Sequence, residues 1–406
     1  MSKKVFILSN GCPENRLDVA QVQNSLSLRN WEITSRIKES DLIVFNTCAL
    51  TCDAENLSLE IVKNLEMIKN KSAQLIVSGC LPKINQQRLQ EVYGGCSLDS
   101  DTLKEIKDII DSQALHPEVY ANSLIKQTTS FGNSRLKKML LKKRDIFDLP
   151  AKIIEVSRKK RSDLLGVCRP HTFCIKVSTG CLCQCTFCAV RFSRGVLRSK
   201  SIHDIVKEFK TGLSKGYKEF ALIGTDVGAY GRDRKSSLVE LLKQLTQFDG
   251  EYKIRLRNIQ PKFLLEMISD LRPLLKTGKI SFIGSALESG SDRVLALMRR
   301  GYGIKEAKGA VRSLSTEFPD IQLRTQLMVG FPTETDQDFS ATKNLLDELF
   351  FDFVEIYLYQ PRPKTDAASL KGQVPMPVAK RRYFELLLKA FMQEHRGRRK
   401  VCKNQP

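Results

Sequence analysis

Three cysteines in one short loop carry the clearest chemistry in the sequence. Cys181, Cys185 and Cys188 have the spacing C-x3-C-x2-C. Thiolates are the usual ligands of iron–sulfur clusters, and three of them at this spacing can hold one face of a cubane cluster. The fourth iron then has no protein ligand and can chelate a substrate. The spacing therefore predicts a cluster with one open iron.

The same loop has two other interpretations, a zinc site and free thiols. Structural zinc usually pairs one C-x2-C with a second pair some distance away, and no such second pair is evident here. Cys183 also lies inside the loop. A ligand set that included it would break the spacing, and a fourth thiolate would close the open iron. We therefore favour the cluster and interpret Cys183 as a bystander.

The N-terminal third must supply the elements that position any further chemistry. Its hydrophobic pattern predicts strands over residues 4–9, 41–47 and 74–78 and helices over 16–28, 54–69 and 85–93. This alternation predicts an open, Rossmann-like α/β sheet. Such sheets bind ligands at the carboxyl ends of their strands.

A cysteine follows each of these three predicted strands: Cys12, Cys48 and Cys80. Cysteines far apart in sequence, each just past a strand, would converge on one edge of the sheet, which predicts a second three-thiolate iron–sulfur site. The alternative is a set of buried apolar cysteines, which are common. Such cysteines should lie within strands as often as after them. We interpret Cys52 and Cys96 as structural.

The rest of the chain alternates strands and helices again. Strands are predicted over residues 173–178, 220–224, 253–258, 280–287, 322–329 and 353–358, with helices over 202–213, 238–248, 263–275, 292–299 and 336–349. Six β/α units form a partial (β/α)6 barrel, in which chemistry lies on the loops that follow the strands. A last helix is predicted over 377–394.

Charge indicates the kind of partner. The chain has 66 Lys and Arg against 45 Asp and Glu, a formal net charge of +21. This favours a polyanion, RNA before a membrane, although solubility or lysine enrichment would also explain it. No stretch approaches the ~20 apolar residues of a membrane span, and the start of the chain does not resemble a signal peptide. The sequence predicts a cytoplasmic protein.

Several motifs together resemble one family, the radical S-adenosylmethionine (SAM) methylthiotransferases. The radical-SAM signature is the cysteine loop, with Phe187 before its last cysteine. The N-terminal motifs are Gly11-Cys12-Pro13-Glu14-Asn15 with Asp18, Asn46-Thr47-Cys48-Ala49 and Gly79-Cys80-Leu81-Pro82. The resemblance implies an N-terminal methylthiotransferase domain (1–113), a basic linker (114–167), a radical-SAM domain (168–375) and a C-terminal helix with a basic tail (376–406). The linker is expected to follow a phosphate backbone or to be a solvated loop.

The resemblance also implies cofactors and their ligands. Cys12, Cys48 and Cys80 would hold an auxiliary [4Fe-4S] cluster, and Cys181, Cys185 and Cys188 the cluster that binds SAM. The residues expected to bind SAM follow the barrel strands: Arg194, Asp226, Glu288, Ser289, Gly330 and Tyr359. The runs 286–302, 329–335 and 359–367 resemble three further motifs of the family. In them Glu288 replaces the family's Gln, Thr333 and Lys364 its Gly, and Asp366 its Pro, and upstream Gln326 replaces its Asp.

The reaction implied is insertion of a methylthio group at an unactivated C–H bond, with two SAM molecules per turnover and a one-electron donor such as flavodoxin or ferredoxin. The favoured substrate is C2 of a hypermodified adenosine beside the tRNA anticodon, of the threonylcarbamoyl type. A ribosomal aspartate, another protein or peptide residue, or a small molecule is the alternative. A minor alternative is that the protein is not an enzyme but an iron–sulfur protein that binds RNA. The family's small RNA-binding barrel, called TRAM, is expected to be missing, and the protein is expected to be a monomer.

Overall fold

The computed structural model describes residues 2–98, 129–130 and 171–396. The predicted linker lies outside the described residues except for residues 129–130, and so does the basic tail beyond residue 396. The described residues form two compact units. Ala189–Gly195 and Arg362–Lys364 belong to the first unit together with the described residues up to 130, and the remaining residues belong to the second.

The first unit is a parallel sheet with helices. Its strands are β1 (Lys4–Ser9), β2 (Glu32–Ile33), β3 (Leu42–Thr47), β4 (Gln74–Gly79), β5 (Cys96–Ser97) and β6 (Thr129–Ser130). Its helices are α1 (Pro13–Ser27), α2 (Cys52–Ile68), α3 (Leu81–Ile84), α4 (Gln86–Gln90) and α5 (Val190–Arg194), with a 3-10 turn at Ile37–Glu39. The sheet order is β2-β1-β3-β4-β5, and β6 also pairs with β1.

The three central strands of this sheet end together. Ser9 pairs with Asn46, and Thr47 pairs with Gly79, so β1, β3 and β4 reach the same edge in register. Their apolar residues are buried on both faces, as is usual for parallel strands covered by helices. The residues that follow these strands are therefore placed side by side.

The second unit is built from strands and crossover helices. Its strands are β7 (Thr172–Lys176), β8 (Ser178–Thr179), β9 (Arg198–Ser199), β10 (Glu219–Ile223), β11 (Lys253–Ile259), β12 (Ile280–Ser285), β13 (Gln322–Val329) and β14 (Phe353–Leu358). Its helices are α6 (Ile202–Ser214), α7 (Leu238–Thr246), α8 (Pro261–Lys276), α9 (Asp292–Leu297), α10 (Ile304–Glu317), α11 (Asp336–Glu348) and α12 (Met376–Arg396). Short 3-10 turns lie at Val227–Ala229 and Asp366–Ser369.

Six of these strands form one all-parallel sheet in the order β14-β13-β12-β11-β10-β7. Each strand lies beside its neighbour in the chain, which is the arrangement of a partial (β/α)6 barrel. Its largest apolar core contains strand residues such as Phe220 and Leu256 together with helix residues such as Phe209 and Leu271. The predicted fold class, an open α/β unit followed by a partial barrel, is confirmed.

Some predicted boundaries are wrong. The helix predicted over residues 16–28 begins earlier, at Pro13, because proline is well suited to the first helical position. The helix predicted over 85–93 is two short helices separated by Asn85, whose backbone is not helical and whose side chain caps the second helix. Helix α10 was not predicted. In the described part of the chain, no helix has the length and apolar character needed to cross a membrane.

Candidate metal centres

Three thiols meet at the carboxyl edge of the first sheet. Cys12 is the N-cap residue of α1, Cys48 follows β3, and Cys80 follows β4. The Sγ atoms of Cys12 and Cys80 lie 3.4 and 3.9 Å from the same acceptor, Oδ1 of Asn15. The structure therefore brings together cysteines that the sequence separates widely.

Burial, and then proximity to the other thiols, raises the pKa values of Cys48 and Cys80. The pKa of Cys48 is raised to about 12, first by burial and then by the adjacent Cys80 and Cys12. Burial also raises the pKa of Cys80, and the positive charge of Arg194 opposes that rise. A metal centre would offset the cost of ionising Cys48 and Cys80, because its positive charge stabilises thiolates. All-sulfur ligation fits an iron–sulfur cluster.

The turn that presents Cys80 depends on a glycine. Gly79 has a φ of +96°, and a Cβ atom there would lie 2.4 Å from the carbonyl oxygen of Thr47. Only glycine fits this conformation and this close approach. The Cys80 N–H donates to the same carbonyl at 3.0 Å, which fixes the end of β4 against the end of β3.

Arg194 is also part of the first unit. It follows the cysteine loop in the sequence, yet its guanidinium donates to Asp18 Oδ2 at 2.7 Å and to Asn15 Oδ1 at 2.6 Å. Glu14 lies 3.6 Å away. The side chain is 1% exposed. The structure thus surrounds Arg194 with residues of the methylthiotransferase motif, while its predicted contact with SAM stays a prediction.

The cysteine loop of the second unit follows β7. The N–H of Cys188 donates to the carbonyl oxygen of Cys185 at 3.2 Å, which turns the chain between these two thiols. The N–H of Cys183 donates to Cys181 Sγ at 3.3 Å. The charge of Cys181 raises the pKa of Cys185, although burial is the main cause of that rise. The predicted ligands therefore lie in one compact loop.

Arg300 provides this loop with a buried positive charge. Its Nη1 lies 3.2 Å from Cys185 Sγ, and its Nη2 donates to the carbonyl oxygen of Ala286 at 2.7 Å. Arg300 opposes the rise in pKa that burial causes at Cys185 and at Glu288. The guanidinium thus favours the thiolate form that a cluster ligand needs.

Asp226 lies beside Cys181 and Cys183 of the cysteine loop. One ligand atom from each of Cys181, Cys183 and Asp226 lies within 4.8 Å of the others. Asp226 Oδ1 accepts from the N–H groups of Gly228 at 3.0 Å and Gln260 at 3.3 Å. Burial raises the pKa of Asp226 to about 6. Cys183 Sγ also lies 2.8 Å from Gln260 Oε1, so the extra thiol has a protein partner.

The other predicted SAM residues all follow strands of the same sheet. Glu288, after β12, is 6% exposed, and burial raises its pKa. Ser289 is fully buried, and its hydroxyl lies 3.1 Å from that of Thr342. Gly330 follows β13, and its N–H donates to Glu334 Oε2 at 2.8 Å. Tyr359 follows β14, with its ring packed against Phe331. Their contacts with SAM stay predictions.

The two departures that replace a family glycine share one backbone conformation, which Glu288 also has, with a φ of 63°. Thr333 and Lys364 each stand where the family has glycine, and both have a φ of 65°. Thr333 and Lys364 therefore have the left-handed conformation that usually favours glycine, although both have side chains. The N–H of Thr333 donates to the carbonyl oxygen of Gly372 at 2.7 Å, which helps to hold this conformation.

Sequence reasoning did not assign a role to the groups that support the cysteines. Asn15 and Arg300 lie in motifs that were recognised, but their hydrogen bonds to thiols link residues far apart in the chain. Gln260 was not singled out at all. Its position directly after β11, on the edge that carries the loop, was a signal that could have found it.

Family comparisons agree with this arrangement. The family described as "Radical SAM superfamily" matches residues 175–346. The family described as "Uncharacterized protein family UPF0004" matches residues 4–99. The first match covers part of β7 and all of β8 to β13, and the second covers β1 to β5 together with Cys12, Cys48 and Cys80.

Individual proteins are similar over nearly the whole chain. The ribosomal protein uS12 methylthiotransferase RimO of Thermotoga sp. (strain RQ2) is 34% identical over 95% of this chain and 83% of its own length. A probable threonylcarbamoyladenosine tRNA methylthiotransferase of Pyrococcus abyssi is 31% identical over 93% of this chain and 82% of its own length. A solved structure, the radical SAM methyltransferase TsrM of Kitasatospora setae, has a TM-score of 0.58 at 13% identity, with 91% of this chain and 77% of that chain covered, and shows the fold alone.

The fold and the family matches define an enzyme of the radical-SAM class. The chain belongs to the radical-SAM methylthiotransferase family. Its cofactors are [4Fe-4S] clusters, of which methylthiotransferases bind two, and S-adenosylmethionine. The family and the cofactors predicted from the sequence are confirmed, and the non-enzymatic alternative is wrong.

Proposed function

We propose that Cys12, Cys48 and Cys80 hold the auxiliary cluster and that Cys181, Cys185 and Cys188 hold the cluster that binds SAM. The observation that supports the first assignment is the meeting of three strand-end thiols, of which Cys12 and Cys80 contact Asn15 and Cys48 lies close enough to both for their charges to raise its pKa. The second assignment is supported by the compact loop and by the buried guanidinium on Cys185. In each site three thiolates leave one iron open.

When bound, the clusters and SAM supply the radical that breaks an unreactive C–H bond and the methylthio group that replaces the hydrogen. The chain itself orients these groups. In this proposal the buried Asp226 carboxylate would hold the SAM ammonium, whose charge would offset the cost of burying the carboxylate. Glu288 would accept hydrogen bonds from ribose hydroxyls, and the backbone at Gly330 would lie along the adenine.

The proposed substrate is C2 of a hypermodified adenosine beside the tRNA anticodon, of the threonylcarbamoyl type. The net charge of +21 supports a polyanionic partner. The similarity to the Pyrococcus abyssi tRNA methylthiotransferase supports the same class. A one-electron donor of the flavodoxin or ferredoxin kind would supply the reducing electron.

A protein residue is the second candidate substrate. It is favoured by the 34% identity to a ribosomal protein uS12 methylthiotransferase. Mass spectrometry of tRNA nucleosides and of ribosomal proteins, from cells with and without the gene, separates the two. Loss of a methylthio adenosine on deletion supports tRNA, and loss of a methylthio group from a protein with unchanged nucleosides contradicts it.

The ligand assignment is tested with Cys48→Ala. This variant should lose one cluster and all sulfur insertion but keep reductive cleavage of SAM, because the cysteine loop is intact. Formation of 5′-deoxyadenosine and of methylthio product are measured side by side. Cys52→Ala is the matched control, since Cys52 begins the helix that follows Cys48 but lies outside the trio. If Cys48→Ala still inserts sulfur, the auxiliary assignment is wrong.

A further inference from the structure

Arg194 is a buried cation inside the first unit, with two carboxylates around it. Its side chain is 1% exposed, and those of Asp18 and Glu14 are 5% and 7% exposed. The guanidinium is 2.7 Å from Asp18 and 3.6 Å from Glu14. Charges this deeply buried interact far more strongly than charges at a surface. The group therefore contributes a fixed field to whatever lies next to it.

Asn15 connects this field to the cysteines. Its Oδ1 accepts from Arg194 at 2.6 Å and is the same atom that Cys12 and Cys80 contact. Its Nδ2 donates to the carbonyl oxygen of Thr47 at 2.9 Å, directly before Cys48. Asn15 is 1% exposed. One side chain thus joins all three cysteine segments to one guanidinium.

A neighbouring amide strengthens the case that a ligand belongs here. Asn15 Nδ2 also donates to Asn46 Oδ1 at 2.5 Å. The Nδ2 atom of Asn46 is buried, and it has no hydrogen-bond partner among the described residues. A buried donor without a partner is costly in a finished site. A bound group with acceptor atoms, such as the sulfides of a cluster, would satisfy it.

We propose that Arg194 is a positioning residue, which fixes Asn15 against the auxiliary cysteines and, with Asp18 and Glu14, sets the reduction potential of the auxiliary cluster. This inference rests on the ligand assignment in the proposed function. Reduction adds negative charge to a cluster, so a nearby cation raises its potential and a nearby carboxylate lowers it. The net charge of the Arg194 group therefore decides how readily the auxiliary cluster accepts an electron.

The test isolates the auxiliary cluster in the full-length chain. Cys181, Cys185 and Cys188 are all changed to alanine, and the protein is reconstituted anaerobically. The midpoint potential is then measured by redox titration, with the electron paramagnetic resonance signal of the reduced cluster as the readout. Two charge variants are compared in this background, Arg194→Gln and Asp18→Asn.

The two variants are expected to move the potential in opposite directions. Arg194→Gln removes a cation and lowers the potential, whereas Asp18→Asn removes an anion and raises it. Arg194→Lys keeps the charge and should leave the potential close to that of the background protein. Arg36→Gln is the matched control, because Arg36 pairs with Glu39 on the surface of the same unit and should cause no shift.

Shifts in the same direction, or none, would overturn the inference. If Arg194→Gln does not fold, Asp18→Asn decides alone, and an unchanged potential in that variant contradicts the proposal. A background protein that binds no cluster would overturn the ligand assignment itself and this inference with it. If the background protein binds a cluster and neither Arg194→Gln nor Asp18→Asn changes its reduction potential, only the inference is overturned.

Discussion

The first unit collects Cys12, Cys48 and Cys80 from the ends of three neighbouring strands, whereas the second takes its cysteines from one loop after β7. Both sites have a buried arginine. Arg300 donates directly to Cys185 Sγ, but Arg194 reaches the thiols through Asn15 and is offset by two carboxylates. The two arginines therefore act on their sites by different routes.

This difference indicates different kinds of dependence on the fold. In the loop site all three cysteines come from one short segment of the chain, and a single arginine, Arg300, contacts one of the thiols directly. The strand-end site forms only when β1, β3 and β4 are paired, and the charged side chains beside it are Arg194, Asp18 and Glu14. Changes to the packing of the first unit should therefore alter assembly of its site, and changes at Arg300 should alter chemistry.

The largest effect is expected from Arg300→Gln. Hydrogen bonds to charged groups contribute about 1.5–3 kcal/mol. Loss of the hydrogen bond from Arg300 to Cys185 should therefore slow SAM cleavage about 10- to 100-fold. The auxiliary cluster should remain. Formation of 5′-deoxyadenosine, together with the spectrum of each cluster, measures this.

The control for that variant is the adjacent residue. Arg299 is 56% exposed and pairs with Asp366 at the surface, so Arg299→Gln should change the rate by about twofold or less. Equal losses in the two variants would contradict a specific role for the contact between Arg300 and Cys185.

A second effect, of similar free energy but on the stability of the first unit, is expected from Arg362→Ala. Arg362 is buried in the first unit, where it pairs with Glu55 and donates to the carbonyl oxygen of Ala49 at 2.9 Å. Glu55 keeps a second partner, Arg88, at 2.6 Å. The free energy of unfolding of the first unit should fall by about 1.5–3 kcal/mol.

Hydrogen exchange locates this effect. Amides of β1, β3 and β4 should exchange faster in Arg362→Ala, while amides of β10 to β13 should not change. Arg36→Ala, which removes only a surface pair with Glu39, should leave both sets unchanged. Faster exchange throughout the barrel would show that the two sites do not differ in their dependence on the fold.

The smallest effect is expected at the two positions that replace glycine. A left-handed backbone destabilises a residue that has a side chain by about 1–2 kcal/mol. Glycine avoids this cost, but it loses more conformational entropy on folding, which destabilises the folded state by roughly 0.5–1 kcal/mol. Thr333→Gly and Lys364→Gly should therefore each stabilise their unit by about 1 kcal/mol or less. Thermal unfolding measures the change. Thr333→Ala and Lys364→Ala keep the strain, and stabilisation by these would contradict the explanation.

Much of the fold could be predicted because the strands are buried apolar runs. The predicted bounds of β1, β13 and β14 match the structure. Helix α10 was missed, although Ile304, Ala307, Val311 and Leu314 have the spacing of a buried helix face. The cysteine trio was predictable because parallel strands end at one edge, so their sequence positions determine where the thiols meet.

The supporting contacts could not be predicted in the same way. The pairing of Asp18 with Arg194 joins residues that only tertiary packing brings together, and no local pattern marks it. The left-handed backbone at Thr333 contradicts the preference of threonine, so its neighbours and not its own type determine it. The sequence therefore indicates which residues could bind iron, and the structure shows which side chains contact those residues.

The central claim is that two separate cysteine trios each hold one [4Fe-4S] cluster. It is tested most directly by counting iron and acid-labile sulfide in anaerobically reconstituted protein and in two triple variants. One has alanine at residues 12, 48 and 80, and the other at 181, 185 and 188. We predict about eight irons per chain for the unaltered protein and about four for each triple variant, as two cubanes require. A triple variant that still holds about eight irons, or one that holds none, would contradict the claim.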